Sequence, residues 1–380
     1  MKIVRKEIDM IRKIMPIMLS VLFIIIIMST ATFADTVRLP QTGQRKCYNA
    51  SGTEIACTGT GQDGEIQAGV AWPNPRFAVS GDCVTDNLTG LMWAKTGNMP
   101  NDKKTWQGAL NYVASLNSSG GLCGYADWRL PNINELESLV NAQASNIASW
   151  LQSQGFRNVQ PFYYWSSSTY SCGTRNAWYV HMGDGGVGGG VKSSTSYVWP
   201  VRGGQSGSLS NSVIWKTGQT TKYAAGDDGD MQKGVAWPSP RFTDNSNGTV
   251  TDNLTGLMWT KDAKTTGPSA CKPEEKKTWP DALDYVACLN TKNYLGYNDW
   301  RLPNRKELFS LVDHSNCNPA IPTGHPFTNV QSGLYWSSST IVGFEKYASD
   351  SYMWDGNVGN YGKSANHYIW PVRGAASLGH

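Results

Sequence analysis

Nearly the whole chain is written twice, and this constrains the fold more than any other feature. GVAWPNPRF at 69–77 returns as GVAWPSPRF at 234–242, and VTDNLTGLMW at 84–93 returns unchanged at 250–259. KKTW (103–106), ALNYVASLN (109–117), DWRLPN (127–132), YWSSST (164–169) and WPVRG (199–203) recur in order at 276–279, 282–290, 299–304, 335–340 and 370–374. The offset drifts only from 165 to 173, so the copies are collinear with small loop insertions. A repeat of about 160 residues is too long for a solenoid unit and long enough to bury its own core. The expected organisation is two tandem domains, 41–204 and 214–376, joined by a polar Gly/Ser-rich linker at 205–213. Each copy opens on a TGQ element, at 42–44 and 217–219.

Residues 1–34 read as a secretory signal. Lys2, Arg5, Lys6, Arg12 and Lys13 precede an apolar run from Ile14 to Met28, and Thr32 and Ala34 suit a cleavage site after Ala34. The run is about 15 residues, short of the roughly 20 that span a bilayer, although an uncleaved anchor is the alternative. No later segment could span a membrane, so the expected location is exported: extracellular, on the cell surface or in the periplasm. Residues 1–34 hold five basic and two acidic residues, which leaves 28 against 27 in the mature chain. A balance this neutral offers no whole-protein steering towards nucleic acid or another polyanion.

Eight cysteines in an exported chain suggest disulfides. Cys47 and Cys57 flank an Ala-Ser-Gly turn and are expected to staple a hairpin. Cys83 and Cys123 are both missing from the second copy, where Thr249 and Leu295 stand. Joint loss is what a bonded pair shows, so Cys83–Cys123 is the second expected bridge. The connectivity of Cys172, Cys271, Cys288 and Cys317 stays open. With no C-x-x-C and no Cys/His cluster, no metal or cofactor is expected.

Each copy alternates helix-period and strand-period segments, which predicts an α+β class. Trp106, Ala109, Leu110, Val113 and Leu116 share one helical face behind the N-cap Thr105, and Thr278 is followed by Asp281 at N3. A second helix starts at Asn132 with Glu135 three residues on, and again at Asn304 with Glu307. Short strands fill the rest, and the Gly-rich stretches 183–194 and 354–365 read as hairpins between two late strands.

TDNLTGLMW, ALxYVAxLN, DWRLPNxxELxSLV, YWSSST and a terminal VRG, in that order, resemble the Lcl C-terminal domain family, named for the Legionella collagen-like adhesin. The resemblance covers about 84–204 and 250–375. It implies a C-type lectin-like fold, two helices on a small, mostly antiparallel sheet with long loops, duplicated here. It also implies bacterial export and adhesion to sulfated glycans, for which the charge balance supplies no basic excess. Family members carry one cysteine in the first helix and another before the terminal VRG. This chain has Cys288 but Pro371 in copy two, and Ser115 and Pro200 in copy one. Cys288 is therefore free or paired with Cys271 or Cys317.

Twelve of sixteen tryptophans occupy matched positions, which reads as core packing rather than a sugar-stacking platform. The unmatched ones are Trp150, Trp178, Trp215 and Trp354, and two of these flank the divergent hairpins. The candidate ligand residues are therefore Trp178, Tyr179, His181, Asp184 and Lys192 in copy one, and Tyr352, Trp354, Asp355, Tyr361 and Lys363 in copy two. Rings and short polar groups on glycine-loosened loops suit a glycan. DNSNGTVTDN (244–253) resembles a calcium loop only faintly, with Thr255 where a bidentate Glu belongs, and reads as a hairpin turn. Asp127-Trp128-Arg129 and Asp299-Trp300-Arg301 are expected to hold a salt bridge at the strand-to-helix turn.

Five histidines, none at a matched position, and the absence of G-x-S-x-G, H-E-x-x-H and P-loop patterns argue against an enzyme. A formylglycine-generating-enzyme-like oxidase, which the implied fold also supports, needs paired reactive cysteines near the C-terminal strands, and Cys172, a leftover thiol candidate, has no obvious partner. The expected function is an adhesion protein recognising a surface glycan or protein through its variable hairpins, with homo-oligomerisation open. The alternative is a structural or assembly component of the envelope or an appendage.

Overall fold

The computed structural model describes residues 37–203, 214–264, 267–273 and 276–374; the expected signal segment 1–34 and linker 205–213 lie outside the described residues. No described helix is long and apolar enough to cross a membrane. A small hairpin, β1 (Cys47–Tyr48) and β2 (Glu54–Ile55), follows the opening TGQ element of copy one. Copy one supplies β3 (Phe77–Ser80), β4 (Cys83–Asp86), β5 (Met92–Ala94), β6 (Tyr163–Thr169), β7 (Asn176–His181), β8 (Val187–Val191) and β9 (Val201–Arg202). Copy two repeats them as β10 (Phe242–Asp244), β11 (Thr249–Asp252), β12 (Met258–Thr260), β13 (Leu334–Thr340), β14 (Tyr347–Tyr352), β15 (Asn357–Gly362) and β16 (Val372–Arg373). All the strand pairings are antiparallel, and each copy closes a small sheet of its own, β3-β4-β5-β9 and β10-β11-β12-β16. The molecule is α+β and duplicated.

The helices form where capping and periodicity coincide. Thr105 accepts from Gly108 N to start Trp106–Ser118, and Thr278 accepts from Asp281 N to start Trp279–Thr291. Trp106, Ala109, Leu110 and Val113 bury the expected face. Asn132 with Glu135 and Asn304 with Glu307 form complete capping boxes on the short helices Ile133–Glu137 and Arg305–Ser310, where a cap is worth about 1 kcal/mol. Copy one adds a third helix, Ile147–Ser153, capped by Asn146. The corresponding stretch of copy two carries Pro319, Pro322 and Pro326, which withhold the amides a helix needs.

The charges of DWRLP pair differently from the expected bridge within the turn. Arg129 reaches forward to Glu135 in a buried bidentate pair at 2.5 and 2.6 Å, and Asp127 takes Arg202 of the terminal strand at 2.7 Å. Glu135 thus closes the capping box and neutralises Arg129 at once. Copy two repeats this with Arg301–Glu307 and Arg373–Asp299. The invariant TDN turn is held alike, by Arg76 on Asp86 and Arg241 on Asp252, all buried. The matched tryptophans Trp93, Trp165, Trp199, Trp259, Trp279, Trp300, Trp336 and Trp370 are core residues.

The two copies interlock. Their central strands join in one six-stranded sheet, β13-β14-β15-β8-β7-β6, through Val358 opposite Val187. The opening segments of the two copies also cross over. Gln44 lays its side-chain amide along Thr340 of copy two, donating to its carbonyl at 2.7 Å and accepting from its N–H at 2.9 Å. Gln219 does the same to Thr169 of copy one. Buried Asp63 accepts from Thr42 at 2.7 Å and from Ser339 of copy two at 2.5 Å; Asp228 accepts from Thr217 and from Ser168 of copy one at the same distances. Burial pushes both carboxyls up to about 6. Lys306 and Arg305 of copy two enclose Glu137 of copy one. The described residues of both copies accordingly form one compact unit, and the repeat boundaries 41–204 and 214–376 do not mark where packing separates.

Four disulfides close the set: Cys47–Cys57, Cys83–Cys123, Cys271–Cys288 and Cys172–Cys317. The first two are the expected pairs. The last joins copy one to copy two.

Candidate functional site: the outer face of the shared sheet

Side chains on a strand alternate between two faces. In the shared sheet Trp178, Val180, Val187 and Val358 point inward to the core, while Tyr163, Tyr179, His181, Gly188, Tyr352 and Asn357 line the other face and keep contact with solvent. The long helices pack at the outer strands β6 and β13 and leave the middle of this face open.

Copy one builds an aromatic cluster there. Tyr163 lies 4.5 Å from Tyr179 and 4.8 Å from His181 between ring centroids, and Phe162 lies against His181 and Tyr197. Phe162 and Tyr163 are 48 % and 46 % exposed. The glycines of β8 explain the orientation of Tyr179. A Cβ at Gly188 or Gly190 would meet the Tyr179 ring at 3.1 Å, so the ring lies down on a strand without side chains and offers its other face outward. His181 lies similarly on Gly183 and is held by Asp184 at 2.8 Å. Lys103 stands over Phe162 and Tyr197 at 5.2 and 5.1 Å. Flat rings beside a cation and short polar groups form a surface that stacks a planar apolar face and bonds its polar rim.

Copy two reverses the arrangement. At the Tyr179 position stands Asp350, and the ring comes from the opposite strand as Tyr361, 50 % exposed. Beneath it His367 stacks on Trp336 at 3.9 Å, with Nδ1 3.9 Å from Asp350 Oδ2. Burial raises Asp350 to about 7 and lowers His367 to about 4. Tyr352 and Trp354 stack at 6.2 Å and are partly exposed.

Of the hairpin candidates, Tyr179, His181, Asp184, Tyr352, Trp354 and Tyr361 reach the surface. Four candidates are corrected. Trp178 is 0 % exposed, one residue out of phase with the open face, and packs on Tyr170 and His314. Asp355 is buried between the copies, where Tyr170 donates to it at 2.8 Å. Lys363 is buried over the Trp279 ring and donates to the carbonyls of Tyr48 and Asn49; burial lowers it to about 7. Lys192 is pinned over Trp106 and bonded to Thr169, and burial lowers its pKa too. These two lysines are struts under the crossing segments rather than ligand contacts. Phe162, Tyr163 and Tyr197 were missed because they lie outside the hairpin, and the FYYW run gives no alternation to point to them: Phe162 and Tyr163 are exposed, Tyr164 and Trp165 buried.

Among the described residues no three His, Cys, Asp or Glu converge on a metal position. Asp244 is engaged by Lys261, and Asn247 accepts from Thr249, as a hairpin turn requires. Cys172, the thiol an oxidase would use, is consumed by its bond to Cys317, and no cysteine is free. A separate cleft of about 410 Å³ in copy two is walled by Lys272, Lys276, Asp281, Asp284 and Tyr285.

No curated protein matches this sequence. The model of the Lcl C-terminal domain matches residues 82–202 and again 248–373, together well over half of the chain. The protein therefore belongs to the Lcl C-terminal domain family and carries that domain twice.

Proposed function

We propose that this is an exported, non-catalytic bacterial adhesion protein that recognises a glycan on the outer face of its shared sheet. The observation that carries the reading is the open cluster of Phe162, Tyr163, Tyr179 and His181, rings laid flat at the surface while most of the matched tryptophans are spent on the core. The family, whose domain is adhesin-like, supports it. So does the complete pairing of eight cysteines, which suits an oxidising compartment outside the cytoplasm. In this reading the helices on an antiparallel sheet are a C-type lectin-like scaffold. A protein partner is the second reading, favoured by Phe344 and Tyr347, exposed at the turn into β14.

The test is a glycan array probed with the mature chain. Tyr163→Ala and Tyr179→Ala should abolish binding while leaving thermal unfolding nearly unchanged. No binding to any glycan, or binding indifferent to both variants, would refute the proposal.

A further inference from the structure

The outer face does not divide between the copies. The ladder pairs Tyr179 with Gly188, and Asn357 with Tyr352; the antiparallel register at Val187–Val358 sets Gly188 beside Asn357. Tyr179, Gly188, Asn357 and Tyr352 thus form one row across four strands and both copies. In the next row stand His181, Gly186, Gly359 and Asp350. The result is a low floor of Gly186, Asn357 and Gly359 between two aromatic walls, with Gly188 lying under the Tyr179 ring. One wall is Tyr163, Tyr179 and His181, and the other is Tyr352 with Trp354 stacked on it. The floor residues keep partial contact with solvent. Asp350, 1 % exposed, turns its Oδ1 towards Gly359 of that floor and its Oδ2 towards His367, and the Oδ1 of Asn357 has no hydrogen-bond partner. From Tyr179 to Tyr352 are three strand spacings, about 14 Å, roughly the reach of three to four pyranose units.

We infer that the ligand is a single linear glycan chain of at least about four sugars that crosses both copies, so that the protein binds one chain rather than one per copy. This rests on the glycan reading above. It turns the duplication from a source of avidity into one extended subsite array. The two walls offer rings for stacking at either end, and the floor admits the chain because it has no bulky side chains.

The experiment is calorimetric titration of the mature chain with cello- and chito-oligosaccharides from disaccharide to hexasaccharide, whose equatorial linkages present flat faces. Affinity should climb with length and level off near the tetra- or pentasaccharide, at one chain per protein. Tyr179→Ala and Tyr352→Ala should each weaken hexasaccharide binding about tenfold, the worth of one well-stacked ring. Asn357→Tyr, which fills the floor without removing either wall, should weaken the hexasaccharide and spare the disaccharide. Two disaccharides per protein bound as tightly as the hexasaccharide, or indifference to Tyr352→Ala and Asn357→Tyr, would overturn the single-chain inference and leave glycan binding intact. Failure of every oligosaccharide together with a blank array would overturn both.

Discussion

The two halves of the shared sheet have the same skeleton and opposite surfaces. In the scaffold around the sheet the copies agree closely: capping boxes at Asn132 and Asn304, buried pairs Arg129–Glu135 and Arg301–Glu307, tryptophans at matched positions; within the sheet the inner face also differs, with Trp178 and Val180 against Ser349 and Ser351. On the outer face copy one lays Tyr179 over glycines, while copy two has Asp350 and His367 under Tyr361. The shared scaffold positions are bound by packing and by buried charge. Outer positions answer to whatever they touch. The proposed binding surface is the outer part of this divergence, and because the sheet is continuous it is proposed as one surface.

The comparison breaks first if the scaffold is not equivalent. Arg129→Ala and Arg301→Ala each strand a buried carboxylate and should cost about 3–5 kcal/mol, equally in urea denaturation; a large disparity would show that the halves are held differently. Trp178→Ala and Tyr179→Ala then separate the two faces within a single dipeptide. Removing the buried indole should cost about 3–5 kcal/mol. The neighbouring tyrosine, half open, should cost far less and affect binding instead. Equal destabilisation would mean the outer face is core.

The titrating pair of copy two sharpens the contrast further. Asp350 is raised to about 7 by burial, so its stabilising contribution is full below its unfolded pKa near 4 and is lost as pH rises through 7. Wild type should therefore lose on the order of 4 kcal/mol between pH 4 and pH 8 that Asp350→Asn retains, an upper bound set by the size of the shift. His367, lowered to about 4, acts oppositely: its contribution is present above about 6.5 and is lost as pH falls through 4. Only the difference between wild type and Asp350→Asn isolates the carboxyl, and a difference constant with pH would contradict its burial. Smallest is the effect of cutting the bridge between copies. Cys172→Ser with Cys317→Ser opens a loop of 145 residues and should cost about 2–4 kcal/mol, with unfolding still a single transition because the crossing segments remain. Two transitions would mean the copies fold apart.

What could be read beforehand follows from range. Caps, helix faces and the Cys83–Cys123 pair were legible because their signals are local or tied to the repeat. The crossing segments were not, because Asp63 meets Ser339 across 276 residues through hydroxyl bonds that leave no periodicity. Trp178 was misassigned for a related reason. NAWYVH alternates aromatic on both faces, so the strand is evident and its phase is not. The DWR charges misled because adjacency suggested a partner where the buried geometry chose Glu135 six residues on. Cys172 and Cys317 belong to different copies, so comparing the copies could not pair them.

The central claim, that the diverged outer face is the binding surface, is tested most directly by hydroxyl-radical footprinting of the mature chain with and without a bound oligosaccharide. Protection should appear at Tyr163, Tyr179, Tyr352 and Trp354 together. Protection confined to the cleft at Lys272, Lys276 and Asp284, or to one copy's hairpin tip, would contradict it.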